Sequence, residues 1–139
     1  MEGRCAGSSI KRSLNLLSED GTNWAELPYS EKNRGSGGSM RSACIGLVFF
    51  DNIPKLIAVS IEAGRITHHN PFGYLGSMVS SYFTALAIQK IPPIKWIGLL
   101  FEEAFVLAEK YIKESGRSVE ENINGGFWGK FVKSWEKYA

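Results

Sequence analysis

Aspartate, histidine and cysteine are scarce in this sequence. Its 139 residues hold two cysteines and two histidines, and aspartate stands only at Asp20 and Asp51. There is no pair of aspartates, no His-x-x-x-His and no Cys-x-x-Cys, so the chain itself presents no metal-ligand pattern. Ser, His and Asp coexist without an order or spacing that marks a catalytic triad. Cys5 and Cys44 are too few for a disulfide framework. The charged start at Glu2, Arg4 and Lys11 leaves no apolar run for a signal peptide, so a reducing, cytoplasmic setting is expected. Lys90, Pro92, Pro93 and Lys95 break up the most hydrophobic region, and no stretch is long and apolar enough to cross a bilayer. A net charge of +2, with both signs spread along the chain, gives no concentrated basic face for nucleic acid. Strand-like alternation is missing as well.

What is present is helical periodicity. Ile10, Leu14 and Leu17 make a short apolar stripe after a cap at Ser8 or Ser9, stopped by Asp20-Gly21. Residues 18–39 show no period, and Trp24, Leu27 and Tyr29 are the expected pins of that long loop. Met40, Ala43, Cys44, Leu47 and Val48 recur at three- and four-residue steps, which predicts a helix from about Ser39. Asp51-Asn52-Ile53-Pro54 reads as a capped start for a helix carrying Leu56, Ile57, Ser60, Ile61 and Gly64. Tyr74 to Gln89 is the longest pattern, a core helix with Gly76, Ser77, Ser80, Ser81 and Ala85 as small contact points. Pro92-Pro93 ends it. Another helix runs from Trp96 toward Gly116, and a last one carries Phe127, Trp128, Phe131, Val132, Trp135 and Tyr138. So many aromatics at a chain end predict more apolar surface than the remaining helices cover, and hence poor solubility. The fold class is all-α, a multi-helix bundle of about five or six orthogonally packed helices forming a single domain over residues 1–139, or part of a larger one.

Two stretches concentrate the chemistry. Gly35-Ser36-Gly37-Gly38-Ser39-Met40-Arg41 is a glycine-rich loop running into a helix start. That arrangement leaves backbone N–H groups free and suits phosphate or pyrophosphate, with charge from Arg34 and Arg41. It is neither a dinucleotide fingerprint nor a P-loop, and a flexible linker before a helix explains the glycines equally well. The other stretch, Gly64 to Gly76, sets His68 and His69 side by side in a turn between helices. Adjacent residues in a turn point apart, so at most one histidine is expected to face a shared pocket. Glu62 stands near enough to orient a histidine, although a satisfied structural carboxylate is the simpler role.

Gly35-Ser-Gly-Gly-Ser-Met-Arg-Ser-Ala-Cys-Ile-Gly-Leu47, Ile66-Thr-His-His-Asn-Pro-Phe-Gly-Tyr-Leu-Gly76 and the Pro92-Pro93 break with Trp96 together resemble the ADP-ribosylglycohydrolase family. The nearest branch is similar to the ADP-ribosylarginine hydrolases, also at Gly3-Arg4 and Val119-Glu-Glu-Asn122. This resemblance implies an all-α hydrolase acting on the N-glycosidic bond between ADP-ribose and a modified arginine of a protein substrate, with a pair of Mg²⁺ ions. It implies a diphosphate-binding role for Gly35, Ser36, Gly37, Gly38, Ser39, Met40 and Arg41. His69, Gly73 and Tyr74 become the contacts on the ribose and adenosine side. Family members are more than twice this length and hold their metal with aspartates of an early and a late motif, neither of which occurs here. The expectation is therefore the middle portion of such an enzyme, monomeric and inactive alone, with its catalytic residues unassigned and its metal ligands elsewhere. A catalytically inactive ADP-ribose-binding or scaffold protein of the same family is the alternative, and a plain helical interaction module is the third reading.

Overall fold

The computed structural model describes residues 7–19, 21 and 23–139. Gly3-Arg4, Cys5 and the Asp20 half of the expected Asp20-Gly21 stop lie outside them. The helices are α1 (Ser8–Glu19), α2 (Ala43–Phe49), α3 (Ile53–Arg65), α4 (Pro71–Ile88), α5 (Trp96–Leu99), α6 (Phe105–Ser115) and α7 (Phe127–Glu136). Short 3-10 turns occupy Trp24–Glu26, Ser39–Arg41 and Pro93–Lys95. One π-turn, Leu100–Ala104, fuses α5 and α6 into a single rod, and another, Glu120–Asn124, precedes α7. Seven helices thus make six rods, and no strand occurs among the described residues, so the chain is all-α.

Local chemistry sets the boundaries. Asn52 caps α3 by accepting from Lys55 N at 3.2 Å, and Asn70 caps α4 by accepting from Phe72 N at 3.1 Å, each followed by a proline in the first turn. Gly116, with φ +66°, closes α6 in the left-handed conformation that glycine adopts most readily.

The axis of the molecule is α4. Tyr74, Leu75, Met78, Tyr82 and Ala85 on it are fully buried against Leu56, Ile57 and Ile61 of α3, Leu100 and Ala104 of the π-turn, and Phe131 of α7. The small residues of α4 do what their spacing predicts. Ser77 Oγ donates to the Ser60 carbonyl at 2.8 Å, and Ser81 Oγ to the Ser42 carbonyl at 2.8 Å. Opposite them, a Cβ on Gly46 would sit on the Ser81 carbonyl oxygen and 2.7 Å from Thr84 Cβ, so α2 and α4 touch backbone to backbone.

That contact turns α2 over. The expected apolar stripe of Met40, Leu47 and Val48 faces solvent, at 82%, 58% and 65% exposure, because Gly46 forms the close contact instead. The regular helix also begins at Ala43 rather than at Ser39. Ser42 closes the preceding 3-10 turn through Ser39 and gives its carbonyl to Ser81. Of the expected loop pins, Leu27 is buried and Tyr29 half-buried, whereas Trp24 is 51% exposed.

The C-terminal aromatics are covered, contrary to the expectation from sequence. Phe131 meets Phe72 edge-on with centroids 5.6 Å apart, and Trp135 meets Phe83 at 5.7 Å. Phe127 meets Phe72 at 6.3 Å, and only Tyr138 at the end of the series stays largely exposed. The sequence shows how many aromatics need partners; it does not show that α4 carries Phe72 and Phe83 on the side facing α7.

Candidate functional site

The α3–α4 connection and the glycine-rich loop meet. Capping by Asn70 and the short span between α3 and α4 hold residues 66–70 in a tight turn, where Thr67, His68, His69 and Asn70 are all buried. The His68 ring lies on the loop. A Cβ on Gly37 would come 2.7 Å from His68 Cε1 and 3.0 Å from Nε2, and one on Gly35 would come 3.4 Å from Nε2. Gly73 opens the first turn of α4 on the other side, where a Cβ would stand 2.6 Å from the His68 carbonyl oxygen. Gly37 and Gly73 are thus fixed by the imidazole and backbone of His68.

Arg41 joins the two stretches directly. Its Nη2 donates to the Ala63 carbonyl and to Thr67 Oγ1, both at 2.6 Å, and Thr67 Oγ1 lies 2.7 Å from His68 Nδ1. Burial lowers the His68 pKa, and the adjacent Arg41 cation lowers it further, so its ring is neutral near pH 7. Ser36 accepts from Met40 N at 3.1 Å, which closes the loop. Ser39 Oγ packs at Gly76, and Gly38 packs on the Gly73 carbonyl, whereas the Met40 side chain points to solvent. Arg34 lies over the Phe127 ring at 5.2 Å.

The histidines diverge, as adjacent turn residues should. His69 turns inward and is 3% exposed. Its Nδ1 is 2.9 Å from the Leu27 carbonyl, which can only accept, so Nδ1 carries the proton. Nε2 then accepts from Asn122 Nδ2 at 3.2 Å. Both ring nitrogens are used inside the protein. Tyr74 is likewise fully buried, with the Arg65 guanidinium 5.3 Å from its ring centre.

Glu62 takes the structural role. One carboxylate oxygen accepts from Arg65 at 3.1 Å and from Tyr111 at 3.0 Å, and the other accepts from Arg117. The sequence places Arg65 in the Gly64–Gly76 stretch and Asn122 in a family-like segment, but it assigns no role here to Arg65, Arg117 or Asn122. The resemblance at Val119 to Asn122 was the only hint, and it did not show that Asn122 reaches back to His69. Among the described residues no three His, Cys, Asp or Glu side chains converge on a common point, so these residues do not fit a metal site.

Burial pulls the His69 pKa from 6.5 to about 4, against a smaller opposing effect of the Leu27 carbonyl. Between those values the unfolded chain binds a proton that the folded ring refuses, because protonation would set two donors, Nε2–H and the Asn122 amide, against each other. Stability contributed by His69 is therefore complete above pH 6.5 and declines as the pH falls toward 4, by on the order of 3 kcal/mol. Denaturant midpoints measured from pH 7.5 to 4.5 should fall more steeply in the wild type than in His69→Gln. Parallel profiles would refute this assignment.

Comparison with known proteins adds an independent line. The model of a family described as ADP-ribosylglycohydrolase matches residues 2–135. The chain is 38% identical over 147 aligned positions to "ADP-ribosylhydrolase ARH1" of Dictyostelium discoideum, a match covering 99% of this chain and 38% of that protein. It is 33% identical over 142 positions to "Putative ADP-ribosyl glycohydrolase L444" of Acanthamoeba polyphaga mimivirus, covering 100% of this chain and 27% of that protein. The chain spans well under half the length of these relatives.

Proposed function

Since the chain belongs to the ADP-ribosylglycohydrolase family, we propose that it supplies the ADP-ribose-binding surface of an enzyme that releases ADP-ribose from modified arginine side chains. The Gly35–Arg41 loop receives the diphosphate, and the turn from Thr67 to Gly76 receives the ribose side. The observation that carries this reading is the seating of His68 on Gly35 and Gly37, with Arg41 bonded to Thr67. It brings the two family-like stretches into one continuous surface, in which the loop backbone and the exposed Arg41 guanidinium lie over the buried His68 ring. Such a surface offers hydrogen-bond donors and one positive charge to a diphosphate.

On this surface Gly35, Ser36 and Arg41 are the exposed groups, whereas His68, His69, Gly73 and Tyr74 are buried and act from behind, holding the loop and the turn. Magnesium, where the whole protein uses it, would supply charge stabilisation, and the residues described here do not offer it a ligand set.

Calorimetric titration with ADP-ribose tests the binding surface. Gly37→Val should weaken binding about tenfold or more, since any Cβ there displaces the His68 ring. Unchanged affinity, or no heat from the parent chain, would remove the loop from the site. Release of ADP-ribose from an ADP-ribosylated arginine peptide then separates hydrolysis from binding alone. Binding without release favours the scaffold alternative for this chain, consistent with its lack of converging carboxylates among the described residues.

A further inference from the structure

Beneath the turn, on the side away from the glycine-rich loop, lie polar atoms that no protein group satisfies. Among the described residues, the buried side-chain atoms without a hydrogen-bond partner are Asn33 Oδ1, Arg65 Nε, Tyr74 OH and Asn122 Oδ1. The last three sit on neighbouring side chains of one cluster. The Arg65 guanidinium faces the Tyr74 ring at 5.3 Å, and the Tyr74 and His69 rings are 6.4 Å apart. Asn122 Nδ2 donates to His69 Nε2. Arg65 Nη2 and Asn122 Nδ2 also share one acceptor, the Arg117 carbonyl, at 3.4 and 3.3 Å. Arg65, His69, Tyr74 and Asn122 are 0 to 3% exposed.

Turning the Asn122 amide over does not relieve the strain on this cluster. Its oxygen would then face the Arg117 carbonyl and the acceptor nitrogen of His69, both of which need a donor. Asn122 Oδ1 therefore stays an acceptor without a donor. Arg65 Nε offers a donor, and the Tyr74 hydroxyl can act either way. Leaving buried groups of this kind unpaired is unfavourable, and native interiors rarely do so. The three chemistries complement a small neutral molecule that both donates and accepts. A second cation is disfavoured, because Arg65 and Arg117 already share the single carboxylate of Glu62. A cleft of ≈ 320 Å³, with His69, Arg117 and Ser118 among its lining residues, lies beside the cluster.

We infer that Arg65, Tyr74 and Asn122 enclose a site for one ordered water molecule. It accepts from Arg65 Nε and donates to Asn122 Oδ1, with the Tyr74 hydroxyl as third partner. The water ties the start of α4 to the Glu120–Asn124 turn and so supports the turn that presents His68. This site does not depend on the proposed activity.

The test is Tyr74→Phe, which keeps the ring and removes only the hydroxyl. With the water in place, the substitution takes away one of its partners and should lower Tm by about 3–5 °C. An unchanged or raised Tm, the result for a hydroxyl that bonds to nothing, overturns the inference. A crystal structure of the wild-type chain supplies the second reading. It should show an isolated density peak within hydrogen-bond distance of at least two of the three atoms, and an empty cluster overturns the inference whatever the melting result.

Discussion

Glu62→Ala is expected to lower the stability of this chain by about 3–5 kcal/mol, the cost of leaving buried charge without its partner. Glu62 is the carboxylate shared by Arg65, which is 2% exposed, and Arg117, which is 25% exposed. Burial already lowers the Arg65 pKa, and Glu62 is the main effect opposing it. Without the carboxylate, one guanidinium is trapped beside Tyr74 and another is left against the Ala25 carbonyl. Glu62→Gln should lose less, since its amide oxygen still accepts one hydrogen bond. The denaturant midpoint of each variant reads this order. A Glu62→Ala protein as stable as its parent would mean that solvent reaches both arginines.

Gly46→Ala is the second large effect, about 3 kcal/mol or more, at the upper end for overpacking. The added methyl group falls on the Ser81 carbonyl, which belongs to the backbone of α4 and cannot rotate away. Relief requires α2 to move off α4, and that movement breaks the hydrogen bond from Ser81 to the Ser42 carbonyl. Alanine is otherwise a better helix former than glycine by about 1 kcal/mol, so intrinsic propensity predicts the opposite sign. Thermal melting of the variant decides between them. A Tm equal to or above that of the parent would show that the two helices are not in backbone contact.

Both effects illustrate which information is local. The starts of α3 and α4 at Asn52 and Asn70, the stop at Gly116 and the apolar face of α4 are legible because caps and periodicity act over one or two turns. The same locality made the glycine-rich loop and the Thr67–Gly76 turn stand out as adjacent-residue motifs, and it carried the family resemblance. The orientation of α2 was not legible. Met40, Leu47 and Val48 make a convincing helical stripe, yet a single hydrogen side chain at Gly46 decides which side packs. The coverage of α7 was also illegible, because it depends on Phe72 and Phe83 projecting toward it from a different helix.

For the candidate site the division is similar. The sequence alone determined that the chain is all-α, that it carries the stretches on which the family resemblance rests, and that aspartate is confined to Asp20 and Asp51. Only the tertiary structure decided that His68 lies on the loop while His69 has both nitrogens engaged, by the Leu27 carbonyl 42 residues before it and Asn122 53 residues after it. No short-range pattern reports such pairings. They arise because α3, α4 and α6 pack around one core, and buried donors and acceptors must then find partners wherever the fold brings them.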